Sequence, residues 1–329
     1  MAMLPETTAS MNPRIIRHPD GITAVDTEYL HPGHAASHII QQGQRAAFVD
    51  VGTNFSVPYL LGALERLGIA REAVDYVFLT HVHLDHAGGA GVLLSELPNA
   101  IAVLHPRGAP HMIEPDKLIA GSKAVYGEER FGKLYGQLLP IPAARIKVAQ
   151  DGERVSLAGR ELELIHTPGH ALHHYAIVDA VHASIFPGDT FGISYRELDT
   201  ARGPFIVPTT TPSQFDPDQL SASIDRMMAY RPESMYLMHF SRVRDLPRLA
   251  QALKSQIREF VGITERRAGA SDRYTAIRTD MLDLWLGLAR QHGCTQTDAE
   301  IERLLLSDLD LNTQGLLVWA DRRRKTAGA

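Results

Sequence analysis

Six consecutive residues, His81-Val82-His83-Leu84-Asp85-His86, put three imidazoles and one carboxylate directly after the apolar run 74–79. Borderline divalent metals bind neutral imidazole nitrogen and carboxylate oxygen at about 2.0–2.2 Å, so donors crowded at one strand end suit them. Histidine fills 16 of 329 positions and aspartate 21, which gives a chance HxHxDH odds on the order of two in a thousand. A solvated polar loop is the bland alternative, and that rarity argues against it.

A chain of 329 residues with 44% hydrophobic and 22% charged residues can bury a full core, as one large domain or one domain plus an extension. The formal net charge of −5 argues against nucleic acid as the main partner. Cys294 is the single cysteine, which excludes an internal disulfide and a thiolate cluster, so a metal site must draw on His, Asp or Glu. The N-terminal stretch has no charged segment followed by an apolar one, unlike a signal peptide. No run approaches the ~18 apolar residues of a spanning helix. The expectation is a soluble cytoplasmic protein with no membrane partner.

Residues 1–13 read as a loose tail. Short β-like runs follow at 22–25, 36–40 and 46–51, then a helix over 58–67 stopped by Gly68. The run 74–79 is a strand with the metal motif at its end, and 91–97 is a helix ended by Pro98. A strand at 101–104 leads into a proline-rich connection with a helix expected near 122–138. Residues 155–157 and 161–166 alternate around Gly159 as in a hairpin, and 175–178 and 183–186 repeat the pattern. Asp216-Pro217 opens a helix to Tyr230, and the strand 235–238 delivers His239. Past Arg244 all signals are helical: 246–261, 274–291, 298–309 and 313–324, with Thr297 and Glu300 as a capping box. The expected division is 14–244 for the α/β part and 245–329 for an all-helical extension.

Three further loops after strands supply metal donors. Proline and glycine in Thr167-Pro168-Gly169-His170 force a turn that holds His170 outward, Gly188-Asp189 presents a carboxylate, and His239 ends a strand. With His81, His83, Asp85 and His86 this makes seven donors, enough for two metals. His81, His83 and His170 would hold one, Asp85, His86 and His239 the other, with Asp189 between them. A bridging hydroxide is then the reagent, because bound metal lowers the pKa of water from 15.7 to about 7.

The order of HxHxDH, a TPGH histidine, a GD aspartate and a late histidine resembles the metallo-β-lactamase fold superfamily. That resemblance implies a four-layer αββα sandwich over roughly residues 14–244. The complete seven-donor pattern is similar to dinuclear members such as glyoxalase II, the metallo-lactonases and RNA-processing relatives. The phrase His105-Pro106-Arg107-Gly108-Ala109-Pro110-His111 and the proline-rich loop after it resemble a hydrolase subgroup related to glyoxalase II. True β-lactamases of the family usually replace the Asp85 equivalent or add a cysteine ligand, and this sequence does neither, which turns the expectation away from penicillin-like substrates.

The resemblance implies a dinuclear hydrolase of a small ester, thioester or lactone. Its metals would be two divalent ions, zinc by default, with iron or manganese compatible with N/O-only ligands. Asp85 would orient the hydroxide or shuttle a proton, and Tyr195 would polarise the substrate carbonyl, as a tyrosine does in lactonases of this fold. An iron-dependent persulfide dioxygenase is an alternative needing one metal, and a phosphodiesterase is another, expecting a basic pocket. Among the other histidines, His173 and His174 are placed to orient His170, and His34 and His38 are candidates for the pocket wall. Apolar positions of the C-terminal helices, such as Trp285 and Leu288, read as core, as homo-oligomer contacts, or as a roof over the site that selects substrates.

Overall fold

The computed structural model describes residues 10–210 and 214–327, so residues 1–9 of the expected tail lie outside the described residues. Residues 10–13 run along the first helix, with the N–H of Met11 bonded to the carbonyl of Pro58.

Two mixed sheets face each other. The first is formed, in spatial and chain order, by β1 (Ile15–Arg17), β2 (Ile22–Asp26), β3 (Ala36–Gln42), β4 (Arg45–Val49), β5 (Val74–Leu79), β6 (Ile101–Leu104) and β7 (Ile146–Val148). Pairing is antiparallel from β1 to β4 and parallel from β4 to β7. The second contains β8 (Glu153–Leu157), β9 (Arg160–His166), β10 (Tyr175–Asp179), β11 (Ser184–Phe186), β12 (Ser234–Leu237) and β13 (Ser241–Val243), stacked in reverse chain order. Its pairings are antiparallel except β11 with β12. The helices are α1 (Val57–Leu67), α2 (Leu84–Ala87), α3 (Ala90–Glu96), α4 (Ala109–Ile113), α5 (Asp116–Tyr126), α6 (Glu128–Tyr135), α7 (Pro217–Ala229), α8 (Leu246–Arg266), α9 (Arg273–His292) and α10 (Asp298–Ala327).

Strand alternation sorts the side chains into layers. Ala47, Val49 and Phe78 of the first sheet meet Leu164, Tyr175, Ile177 and Phe186 of the second in the cluster between the sheets. Their neighbours Phe48, Val77 and Leu79 face outward against Leu60, Leu61 and Leu64 of α1 and Leu93 of α3. On the far side, Ile165, Ala176 and Ile185 join Leu220 and Ile224 of α7 and Leu249 and Leu253 of α8. The order is therefore helix, sheet, sheet, helix, with an all-helical extension in α8–α10. The same outer cluster continues into that extension through Phe260, Trp285, Ile301, Leu305 and Leu316. No helix of the described residues is long and apolar enough to cross a membrane.

Two expectations about helices are corrected. The helix expected near 122–138 is two helices, α5 and α6, because Gly127 adopts φ +78° between them. The pair expected at 298–309 and 313–324 is the single helix α10. There Asn312 and Thr313 donate from their side chains to the carbonyls of Asp308 and Leu309, each at 2.7 Å, and the helix runs through them. The three-residue edge strands β1, β7 and β13 carry too little pattern to read from sequence.

Candidate metal centre

Every donor follows the C-terminal end of a strand. After β5 the chain turns through His81 and His83 into α2, which carries Asp85 and His86. His170 follows β9, Asp189 follows β11 and His239 follows β12. Two glycines permit the close packing this needs. A Cβ on Gly169, at φ +126°, would sit 2.1 Å from the backbone nitrogen of Leu220 in α7, and one on Gly188, at φ +50°, would sit 2.5 Å from Nε2 of His174.

The side chains converge in two groups. Ligand atoms of His81, His83, His170 and Asp189 all lie within 4.8 Å of one another, and so do those of Asp85, His86 and His239. Nδ1 of His83 is 2.8 Å from Nε2 of His81 and 3.1 Å from Nε2 of His170. Asp189 spans the groups: Oδ2 is 3.4 Å from Nε2 of His170, while Oδ1 is 3.1 Å from Nε2 of His86 and 3.9 Å from Nε2 of His239. Oδ2 of Asp85 lies 3.5 Å from Nε2 of His239.

The opposite ring nitrogens are tied back. Nδ1–H of His86 donates to Oδ2 of Asp50 at 2.9 Å, that of His170 to the carbonyl of Thr209 at 3.2 Å, and that of His239 to the carbonyl of His34 at 3.0 Å. An acceptor behind each ring fixes the tautomer and leaves Nε2 for ligation. Asp50 also accepts the backbone N–H of Thr80 at 2.8 Å and its hydroxyl at 2.8 Å, so one buried carboxylate anchors both ends of the HxHxDH turn. His174 supports Asp189 rather than His170: its Nε2 accepts the N–H of Asp189 at 3.2 Å, and its Nδ1 lies 2.8 Å from the hydroxyl of Thr167.

Burial holds His81, His83 and His170 below the ordinary imidazole value, reinforced at His81 and His83 by neighbouring rings, so these are neutral donors. Burial would lower His86 and His239 too, but the carboxylates of Asp189 and Asp85 beside both, with Asp50 beside His86, hold them above it. Burial opposes ionisation of Asp85 and Asp189, yet the facing imidazoles keep both below the usual carboxylate range. The carboxylates thus set up a field that calls for positive charge between the two groups. Nε2 of His86 and Oδ1 of Asp189 are buried and, apart from facing each other at 3.1 Å, have no hydrogen-bond partner among the described residues. Folded proteins rarely leave buried polar atoms so, and cations between the groups satisfy both. The donor chemistry fits a dinuclear metal centre.

Above the seven side chains lies a cavity of about 350 Å³. Its walls include Leu84, Val125 and Ile193, and residues Ser307, Asp308 and Leu311 of α10 close one side. His34 and His173 line it; His38 is packed between Phe186 and Tyr236 instead. Tyr195 is buried, and its hydroxyl donates to Oδ2 of Asp308 at 2.9 Å. Cys294 is buried, with its thiol directed at the carbonyl of Leu198. Asp50 and Asp308 are the site residues that sequence reasoning passed over. A hint existed for Asp50, which follows the strand beside the metal-bearing one; nothing marked Asp308.

The family model described as Metallo-beta-lactamase superfamily matches residues 30–239, which include all seven donors. The chain belongs to the metallo-β-lactamase superfamily. Within it, a metallo-beta-lactamase fold-containing protein of Sulfurisphaera tokodaii is 27% identical over 172 residues, 51% of this chain and 61% of that protein. A hydroxyacylglutathione hydrolase of Aeromonas hydrophila is 32% identical over 128 residues, 39% of this chain and 37% of the enzyme. The chain thus spans less than two thirds of these relatives. Among solved structures, a superfamily protein of Thermus thermophilus matches with a TM-score of 0.64 at 19% identity, covering 95% of this chain and 92% of that one. That likeness shows the shared fold.

Proposed function

We propose that the chain is a metal-dependent hydrolase, active on a small carboxylic ester, thioester or lactone through a dinuclear centre. Residues 14–244 form its catalytic domain, and the helical extension 245–329 closes the substrate cavity. The observation that carries this reading is Asp189, whose two carboxylate oxygens face different donor groups. His81, His83 and His170 would hold one ion, Asp85, His86 and His239 the other, with Asp189 shared. Zinc is the default metal, and iron or manganese suits the same donors. The bound ions would supply a hydroxide near neutral pH and polarise the substrate carbonyl.

The protein side chains do the rest. Asp85 faces the cavity, where its carboxylate would orient the attacking oxygen or take up a proton from it and carry that proton to the leaving group. Leu84, Val125 and Ile193 offer the carbon skeleton of the substrate an apolar surface. A phosphodiesterase is less well supported, because Lys117 is the only lysine or arginine among the described residues lining the cavity. A single-iron oxygenase would leave the second donor group without a task. The hydroxyl of Tyr195 is engaged by Asp308, so its part in the reaction is indirect, through that carboxylate.

The test is a hydrolysis panel of lactones, thioesters and phosphodiesters on protein of measured metal content, with His81→Ala as control. Turnover of one of the first two classes, abolished in His81→Ala, is the expected result. Retained turnover in that variant would count against the assignment.

A further inference from the structure

Helix α10 sets a carboxylate into the wall of the substrate cavity from outside the residues the family model matches. Asp308 lines the cavity together with Asp85, Asp189 and His239. One of its oxygens, Oδ2, accepts the hydroxyl of Tyr195. The other has no hydrogen-bond partner among the described residues, and no lysine or arginine of those residues pairs with the carboxylate.

Its position is held firmly. The phenol of Tyr195 is buried and stacks on the ring of His34, with centroids 5.2 Å apart and planes at 26°. From the next turn of α10, the side chain of Asn312 donates to the carbonyl of Asp308 and accepts the N–H of Thr210 at 2.7 Å. Thr210 follows Thr209, whose carbonyl takes Nδ1–H of His170. The docking of α10 and the orientation of a metal-facing ring are therefore linked through one loop.

Burial is the main influence on this carboxyl and pushes it up to about 6, against the pull of His239 and the Tyr195 hydroxyl. A carboxylate in so restricted a setting gains from a hydrogen-bond donor brought to it. Leu311, one turn along α10, and Ile193 of the same cavity offer no donor, and the lining cation Lys117 is itself exposed. Asp308 is half-buried, and its free oxygen is left to the cavity, where a ligand can take the place of solvent against it.

Resting on the hydrolase reading above, we propose that Asp308 is a specificity-determining residue whose free oxygen accepts a hydrogen bond from an N–H or O–H group on the body of the substrate. The preferred substrates then carry a hydroxyl, amide or ammonium group on the acyl or lactone part. Those whose acyl part ends in a carboxylate are disfavoured by like charge.

Phenyl thioesters of butanoic, 3-hydroxybutanoic and 3-aminobutanoic acid provide matched probes. The quantity read is the ratio of kcat/KM for each donor-bearing thioester to that for the butanoyl one, which cancels losses of active protein. The metal-loaded protein is expected to favour a donor-bearing probe by about 10- to 150-fold, the range for a hydrogen bond to a charged group, and Asp308→Ala to bring the ratio near unity. Asp308→Asn keeps the side-chain volume and is expected to lose the ammonium preference. Calorimetric binding of butanamide, 3-hydroxybutanamide and 3-aminobutanamide reads the same preference without turnover. If no thioester is cleaved but the amides still discriminate through Asp308, the hydrolase reading fails and the recognition role stands. A ratio near unity in the unaltered protein, or one unchanged in both variants, would overturn the proposal.

Discussion

Asp189→Asn is expected to reduce bound metal from two ions per chain to one or fewer and to lower kcat/KM by at least about 10²–10³-fold, the usual loss for one preorganised charge-stabilising group. Among the described residues, Asp189 is the one whose two oxygens face both donor groups. Two dications a few Å apart repel each other strongly, and a shared anionic carboxylate offsets part of that repulsion. The amide keeps the shape but removes the charge and makes one of the two atoms a hydrogen-bond donor, which turns it away from a cation. Metal analysis after dialysis, with kinetics on the same samples, checks both parts. Full stoichiometry with unimpaired turnover would show that Asp189 does not bridge.

Asp50→Ala is expected to act on stability and on metal affinity together. Asp50 accepts hydrogen bonds from the backbone and hydroxyl of Thr80 and from Nδ1–H of His86. Removing it leaves those buried donors unanswered and releases the His86 ring. Breaking a buried charged pair by deleting one partner costs about 3–5 kcal/mol, and losing the partner behind a metal-binding histidine costs about 10–100-fold in metal affinity. Urea unfolding of the metal-free protein reads the first effect and competition with a chelator the second. An unfolding midpoint and chelator sensitivity both matching the unaltered protein would remove Asp50 from the account.

The difference between these two aspartates shows what the sequence carried. Asp189 is legible because it sits in a Gly-Asp turn after an apolar run, where a strand gives way to a loop that can carry a donor. Asp50 follows β4, and its role depends on β4 and β5 pairing in parallel, so that Asp50 and Thr80 emerge side by side. That adjacency is a product of topology, hidden in the sequence because Asp50 and Thr80 stand 30 positions apart with α1 and β5 between them. Strands 74–79 and 101–104 coincide with β5 and β6, because short runs rich in β-branched and aromatic residues between turn residues favour a strand over a helix. The break between α5 and α6 is hidden in the sequence because Gly127 lies inside a tract with helical spacing on both sides. Asp308 looks like any solvated acid on an amphipathic helix. Only the docking of α10 over the metal-facing loops gives it a place in the cavity wall.

The most direct test is anomalous diffraction from crystals of the metal-loaded protein, collected above and below the absorption edge of the bound metal. Two peaks are expected, one among His81, His83 and His170, the other among Asp85, His86 and His239, with Asp189 touching both. A single peak, or density remote from these side chains, would contradict the dinuclear centre.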